Sequence, residues 1–89
     1  MDLAIARSLL ERELNEMRAR GYGGLRGEIG TDIARQVTGP DGVPYQLQIL
    51  VLWDGDENGA IRIIGSIDDG GLRTFIKPLT MDELIQPEP

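Results

Sequence analysis

The sequence predicts an α+β fold: an N-terminal helix packed on one face of a four-stranded antiparallel meander, followed by a short C-terminal helical turn. Two observations predict it. Apolar residues recur at steps of three and four over residues 2–20, then at steps of two in later runs. Those later runs are separated by short Gly-, Pro- and Asp-rich segments, which suit hairpins rather than the long crossovers of parallel strands.

The helix is read from Leu3, Ala6, Leu10, Leu14 and Met17, with Leu9 widening the stripe. Arg7, Arg12, Glu13 and Glu16 fall largely off it, and Glu16 precedes Arg20 by one turn, the favourable order for an ion pair. Asp2 suits the positive end of the helix dipole, and Arg18 and Arg20 the negative end. Gly21 is placed to stop the helix in a left-handed conformation, and 21–24 then reads as a flexible connector.

A first strand is expected over 28–38, where Ile29, Thr31, Ile33, Arg35 and Val37 share a face. The run Gly39-Pro40-Asp41-Gly42 is a turn, because Pro presets the first dihedral pair and Gly accepts positive φ. The second strand, 44–53, places Tyr45, Leu47, Ile49, Val51 and Trp53 on the face toward the helix. A polar loop over 54–59 leads to a third strand at 60–68, with Ile61, Ile63 and Ile67 on that face and Gly65 in the same row, where the helix can approach closely. A fourth strand is expected at 72–77, ended by Pro78. Thr80 and Glu83 have capping-box spacing and predict the helical turn. Residues 1–86 then form one domain, and 87–89 a frayed tail.

Composition narrows function. The chain has 89 residues, 40% of them hydrophobic, with no Cys and no His. Disulfides, thiolate metal sites, imidazole ligation and the Ser-His-Asp triad are excluded, so the expectation is a non-enzyme that needs no cofactor. The net charge of -6 lies wholly in residues 41–89, since the six Arg and six acids of residues 1–40 cancel. A negative field of this kind disfavours nucleic acid and anionic membranes as partners. The charged start, with Asp2, Arg7, Glu11 and Arg12, lacks the apolar stretch of an export signal, so a cytoplasmic location is expected.

Four features carry candidate function. In the loop, Asp54, Asp56 and Asn58 offer oxygens at alternate positions, followed by Gly59. This opening resembles an EF-hand calcium loop, and Ile61 falls at its apolar eighth position. The twelfth position, however, is Gly65 instead of a bidentate Glu, and a strand precedes the loop. The adjacent carboxylates Asp68 and Asp69 lie beside Ser66, but neighbours on a strand point to opposite faces, and Gly70-Gly71 make this turn chemistry. Arg18, Arg20 and Arg26 surround a Gly-rich segment, yet at a helix C-terminus, whose carbonyls repel anions.

The fourth feature weighs most. Leu50, Leu52, Ile64 and Phe75 fall on the sheet face away from the helix, which one helix cannot cover, so either the C-terminal Leu79, Leu84 and Ile85 fold over it or another chain does. The resulting expectation is a small acidic protein-interaction domain, of the physical type of acidic inhibitors of basic enzymes. It presents Asp54, Asp56, Asp68 and Asp69 beside that apolar patch to a basic protein partner. The alternatives are a homodimer through the same face and a calcium- or small-ligand-binding domain through the 54–59 loop.

Overall fold

A computed structural model of the chain describes residues 2–69 and 78–87. The elements in chain order are helices α1 (Leu3–Ala19) and α2 (Gly21–Arg26) and strands β1 (Asp32–Thr38), β2 (Pro44–Trp53), β3 (Ile61–Asp68) and β4 (Leu79–Ile85). The strands form one open antiparallel sheet in the order β1-β2-β3-β4. The α+β class, the N-terminal helix and the four-stranded antiparallel sheet are as the sequence predicts.

Helix α1 begins where Asp2 caps it, its carboxylate accepting from the Ala4 and Ile5 amides at 3.0 and 3.1 Å. Its buried stripe is Ala6, Leu9, Leu10, Glu13, Leu14 and Met17, and each buried Leu or Met contributes about 1.5–3 kcal/mol over remaining exposed. That stripe meets Tyr45, Leu47, Ile49, Val51, Ile61, Ile63 and Ile67 from β2 and β3. Trp53 packs half-buried against the same core. The helix rests chiefly on β3 and β4.

Gly21 is left-handed at φ 71, as its position after the helix predicts. The segment beyond it is not a connector. It forms α2, a turn too short and too Gly-rich to persist alone, and it is held by packing. Leu25 is fully buried and the Tyr22 hydroxyl donates to the Gly59 carbonyl at 2.7 Å.

Strand β1 begins at Asp32 rather than residue 28, because Gly30 adopts φ 86. The Thr31 amide closes a turn on the Glu28 carbonyl, the Gly30 amide donates to the Val51 carbonyl, and the Val51 amide donates to Thr31. Gly30 and Thr31 thus oppose one residue of β2 as a glycine bulge. The first hairpin is pinned by Asp41. Its carboxylate accepts from the Tyr45 hydroxyl at 3.0 Å and the Val43 amide at 3.3 Å.

The C-terminal helical turn is a correction: residues 79–85 form β4, paired with β3 from Ile67↔Leu79 to Ile61↔Ile85. Leu79, Met81 and Ile85 alternate onto the core side, so the same residues carry a strand pattern under the capping-box spacing. The strand expected at 72–77, with Phe75, lies outside the described residues.

Tyr45 supplies a pH prediction. Burial pushes its phenol above the ordinary value, and the hydrogen bond to the Asp41 carboxylate adds to this. A phenol whose folded pKa is raised keeps its proton while the unfolded chain releases it. Stability is therefore full below about pH 10 and falls as pH rises through and beyond it. Urea midpoints measured from pH 8 upward should drop beyond about pH 10 in wild type, and less steeply in Tyr45→Phe. Equal slopes would contradict this account.

Candidate interaction surface

The sheet face turned away from α1 is built by every second residue of four strands. Register places them in rows. Gln36, Gln46 and Asp68 form one row, and Ala34, Gln48, Ser66 and Thr80 the next. Asp32, Leu50, Ile64 and Asp82 follow, then Leu52, Arg62 and Leu84. Among the described residues no helix lies over this face.

One end of the face is polar and knitted to itself. The Gln46 amide donates to Gln36 at 3.2 Å, and the Gln48 amide donates to both Asp32 oxygens at 2.9 and 3.1 Å. Its shallow floor, about 370 Å³, is lined by Ala34, Gln36, Gln46, Gln48, Ser66 and Asp68, among others. At the other end Leu50 opposes Ile64, and Leu52 and Leu84 flank Arg62. Leu52 is 39% exposed and Leu84 45%.

Of the residues the sequence offers for this face, Leu50 and Ile64 stand opposite each other and Leu52 lies in the next row, while Phe75 lies outside the described residues. Leu79, Leu84 and Ile85 do not fold over the patch: 79–85 is a strand of the same sheet, which turns Leu79 and Ile85 to the core and makes Leu84 part of the face. The sequence misses Asp82, which reaches the face by the same strand, and Asp32, which lies across from Leu50. The alternation of Leu79, Met81 and Ile85 was the available signal.

Arg62 is the cation of these rows, and carboxylates on both sides hold it. Its Nε donates to Asp54 at 2.9 Å, and one terminal nitrogen donates to Asp82. The Asp54 bond and the field of both acids keep the guanidinium pKa above its ordinary value, so it stays charged at any working pH.

Asp54 is accordingly turned to Arg62. The rest of the 54–59 loop serves its own backbone: the Asp54 amide donates to Ala60, the Gly59 amide to Asp56, and Asn58 sits at φ 68. Among the described residues, no group of three or more acidic side chains is gathered to hold a metal ion. Asp56 and Glu57 are exposed on that loop.

Asp68 closes β3 on the outer face opposite Gln46, and Asp69 follows beyond the strand. Of the arginines around the Gly-rich segment, Arg18 reaches Asn15 at 2.6 Å and Glu83 at 2.7 Å. Arg20 pairs with Glu28 at 3.1 Å rather than with Glu16. These carboxylates occupy two of the three guanidinium groups that an anion would need, and Arg26 is exposed at the end of α2. No helix among the described residues is long and apolar enough to cross a membrane. Comparison with protein-family models, curated proteins and solved structures finds no match to this chain.

Proposed function

We propose that the chain is a non-catalytic interaction domain that takes a basic protein partner on the outer face of its sheet. The observation that carries this reading is the charge pattern of that face. Asp32, Asp68 and Asp82 stand on it, Asp56 and Glu57 stand at its end, and Arg62 is held between two carboxylates. A cationic partner gains from the acids and meets an apolar anchor in Leu50, Leu52, Ile64 and Leu84. The absence of His and Cys across the chain removes most catalytic machinery and favours binding over chemistry.

A homodimer through the same face is the second reading, favoured by the exposure of Leu52 and Leu84. Arg62 stands between those two leucines, and two copies each carrying -6 repel at low salt. A calcium role for the loop has less support, since Asp54 is taken by Arg62.

The test is retention of partners from host lysate by immobilised chain at graded salt, compared with the triple variant Asp32→Asn, Asp56→Asn, Asp68→Asn. A stoichiometric basic partner should be released as salt rises, and the variant should bind it about tenfold more weakly at low ionic strength. Equal retention by both proteins at all salt concentrations would refute the acidic-face reading.

A further inference from the structure

Strand β1 is an edge of the sheet, and its hydrogen-bonding parity is fixed. The Gly39 amide donates to the Val43 carbonyl at 2.9 Å, and the Val51 amide donates to Thr31 at 3.2 Å. Bonded pairs alternate along an antiparallel ladder. Ile33, Arg35 and Val37 therefore bond to β2, while Asp32, Ala34, Gln36 and Thr38 turn their peptide groups outward. By the same alternation the opposite edge turns out Thr80, Asp82 and Leu84.

The two edges differ in cover. Helix α1 leans over β3 and β4, and Arg18 of the helix ties down Glu83 of β4. Over β1 the helix reaches Arg35 through Glu13. Ile33 and Val37 are left half-buried on the helix side of the edge strand. Beside them lies a groove of about 160 Å³ in which Met17, Ile33 and Ile49 are rimmed by Glu13, Glu16, Arg20 and Arg35.

We infer that β1 is where the partner docks, by adding an extended segment as a fifth strand; this rests on the acidic-face reading and specifies its geometry. Four outward peptide groups supply the main-chain bonds. Residues of the added strand that bond to Asp32, Ala34, Gln36 and Thr38 join the polar outer face, where Lys or Arg is favoured opposite Asp32 and polar residues opposite the other three. Residues on the other side meet Ile33 and Val37 and must be apolar, with no cation between them where Arg35 stands. The partner segment thus alternates polar and apolar residues, with a base opposite Asp32, and lysine serves at every polar place in a probe because the chain carries -6. A second copy of β1 fits poorly: the antiparallel register that sets Ile33 against Val37 also sets Arg35 against Arg35 of the other copy, an inward charge of the kind that blocks self-pairing.

The probe is a seven-residue peptide alternating lysine with valine, with serine in place of the middle valine, titrated into the full chain while amide exchange is followed by NMR. Binding should slow exchange at Ala34, Gln36 and Thr38 about tenfold or more and leave Thr80, Asp82 and Leu84 unchanged. A peptide N-methylated at its lysine amides should lose this effect. So should Gln36→Pro, which removes an outward donor and the Gln46 side-chain bond but leaves the β1–β2 main-chain bonds in place.

Protection at the β4 edge, protection nowhere, or concentration-dependent protection without peptide (self-pairing) would each overturn strand addition. If Gln36→Pro retains the lysate partner while the triple Asn variant loses it, the acidic-face reading stands and strand addition falls. If neither variant loses it, both fall.

Discussion

Gly65→Val is expected to destabilise the fold by about 3 kcal/mol, a large share of what so small a domain possesses. A Cβ at this position would stand 2.8 Å from Leu10 Cδ1 and 3.2 Å from Leu14 Cδ2, both on buried side chains of α1. The helix therefore lies directly on the β3 backbone, and any side chain there must push a packed leucine from its place. Gly65→Ala displaces one leucine methyl and should cost about 1–2 kcal/mol. The sign is what makes the experiment decisive. Gly65 does not have positive φ, so in an uncrowded strand either substitution would stabilise by restricting the unfolded chain, about 0.4–1 kcal/mol for Ala. Urea midpoints that rise in both variants would show that the helix does not seat on Gly65. Pairing Gly65→Ala with Leu10→Val should recover part of the loss, because the shortened side chain vacates the crowded volume.

That contact shows how far the sequence could be read. The row of Ile61, Ile63, Gly65 and Ile67 announces both the core face and the place where the helix comes close, because period and residue size are local properties. Strand β2 is legible for the same reason, and with it Leu50 and Leu52 on the outer face. Strand β4 is not. Thr80 and Glu83 have a helical spacing that would operate if the segment were alone. Here the outward peptide groups of Ile61, Ile63, Gly65 and Ile67 demand partners, and residues 79–85 satisfy them. A requirement set by another strand cannot be read from the segment itself, and with it went Asp82 and Leu84. Helix α2 was hidden likewise, since Leu25 and Tyr22 hold a Gly-rich turn that propensity disfavours. Glu13 was misplaced for a different reason. It lies three residues after Leu10 on the buried stripe, and its charge argued it off a face that its spacing put it on.

Arg35→Ala is expected to cost about 2–3 kcal/mol, whereas Glu13→Leu should be close to neutral. Glu13 is 6% exposed and its carboxylate is held by Arg35, while the Arg35 side chain is half-exposed. Removing the arginine strands a carboxylate among Leu10, Leu14 and Met17, and water reaches it poorly. Removing the carboxylate instead leaves a guanidinium that can turn into solvent, and leucine continues the apolar stripe. Chemical denaturation of the two single variants tests the asymmetry; equal losses would mean that the pair acts as an ordinary surface bridge. The double variant Glu13→Leu, Arg35→Val should be as stable as wild type or more so. Its cost should appear in solution behaviour. With Arg35→Val the helix side of β1 becomes an unbroken apolar edge from Ile33 to Val37, and two copies can pair without opposing charges. Sedimentation should then show concentration-dependent association in the double variant and not in Glu13→Leu alone. A double variant that stays monomeric at high concentration would mean that Arg35 serves the helix contact and does not guard the edge.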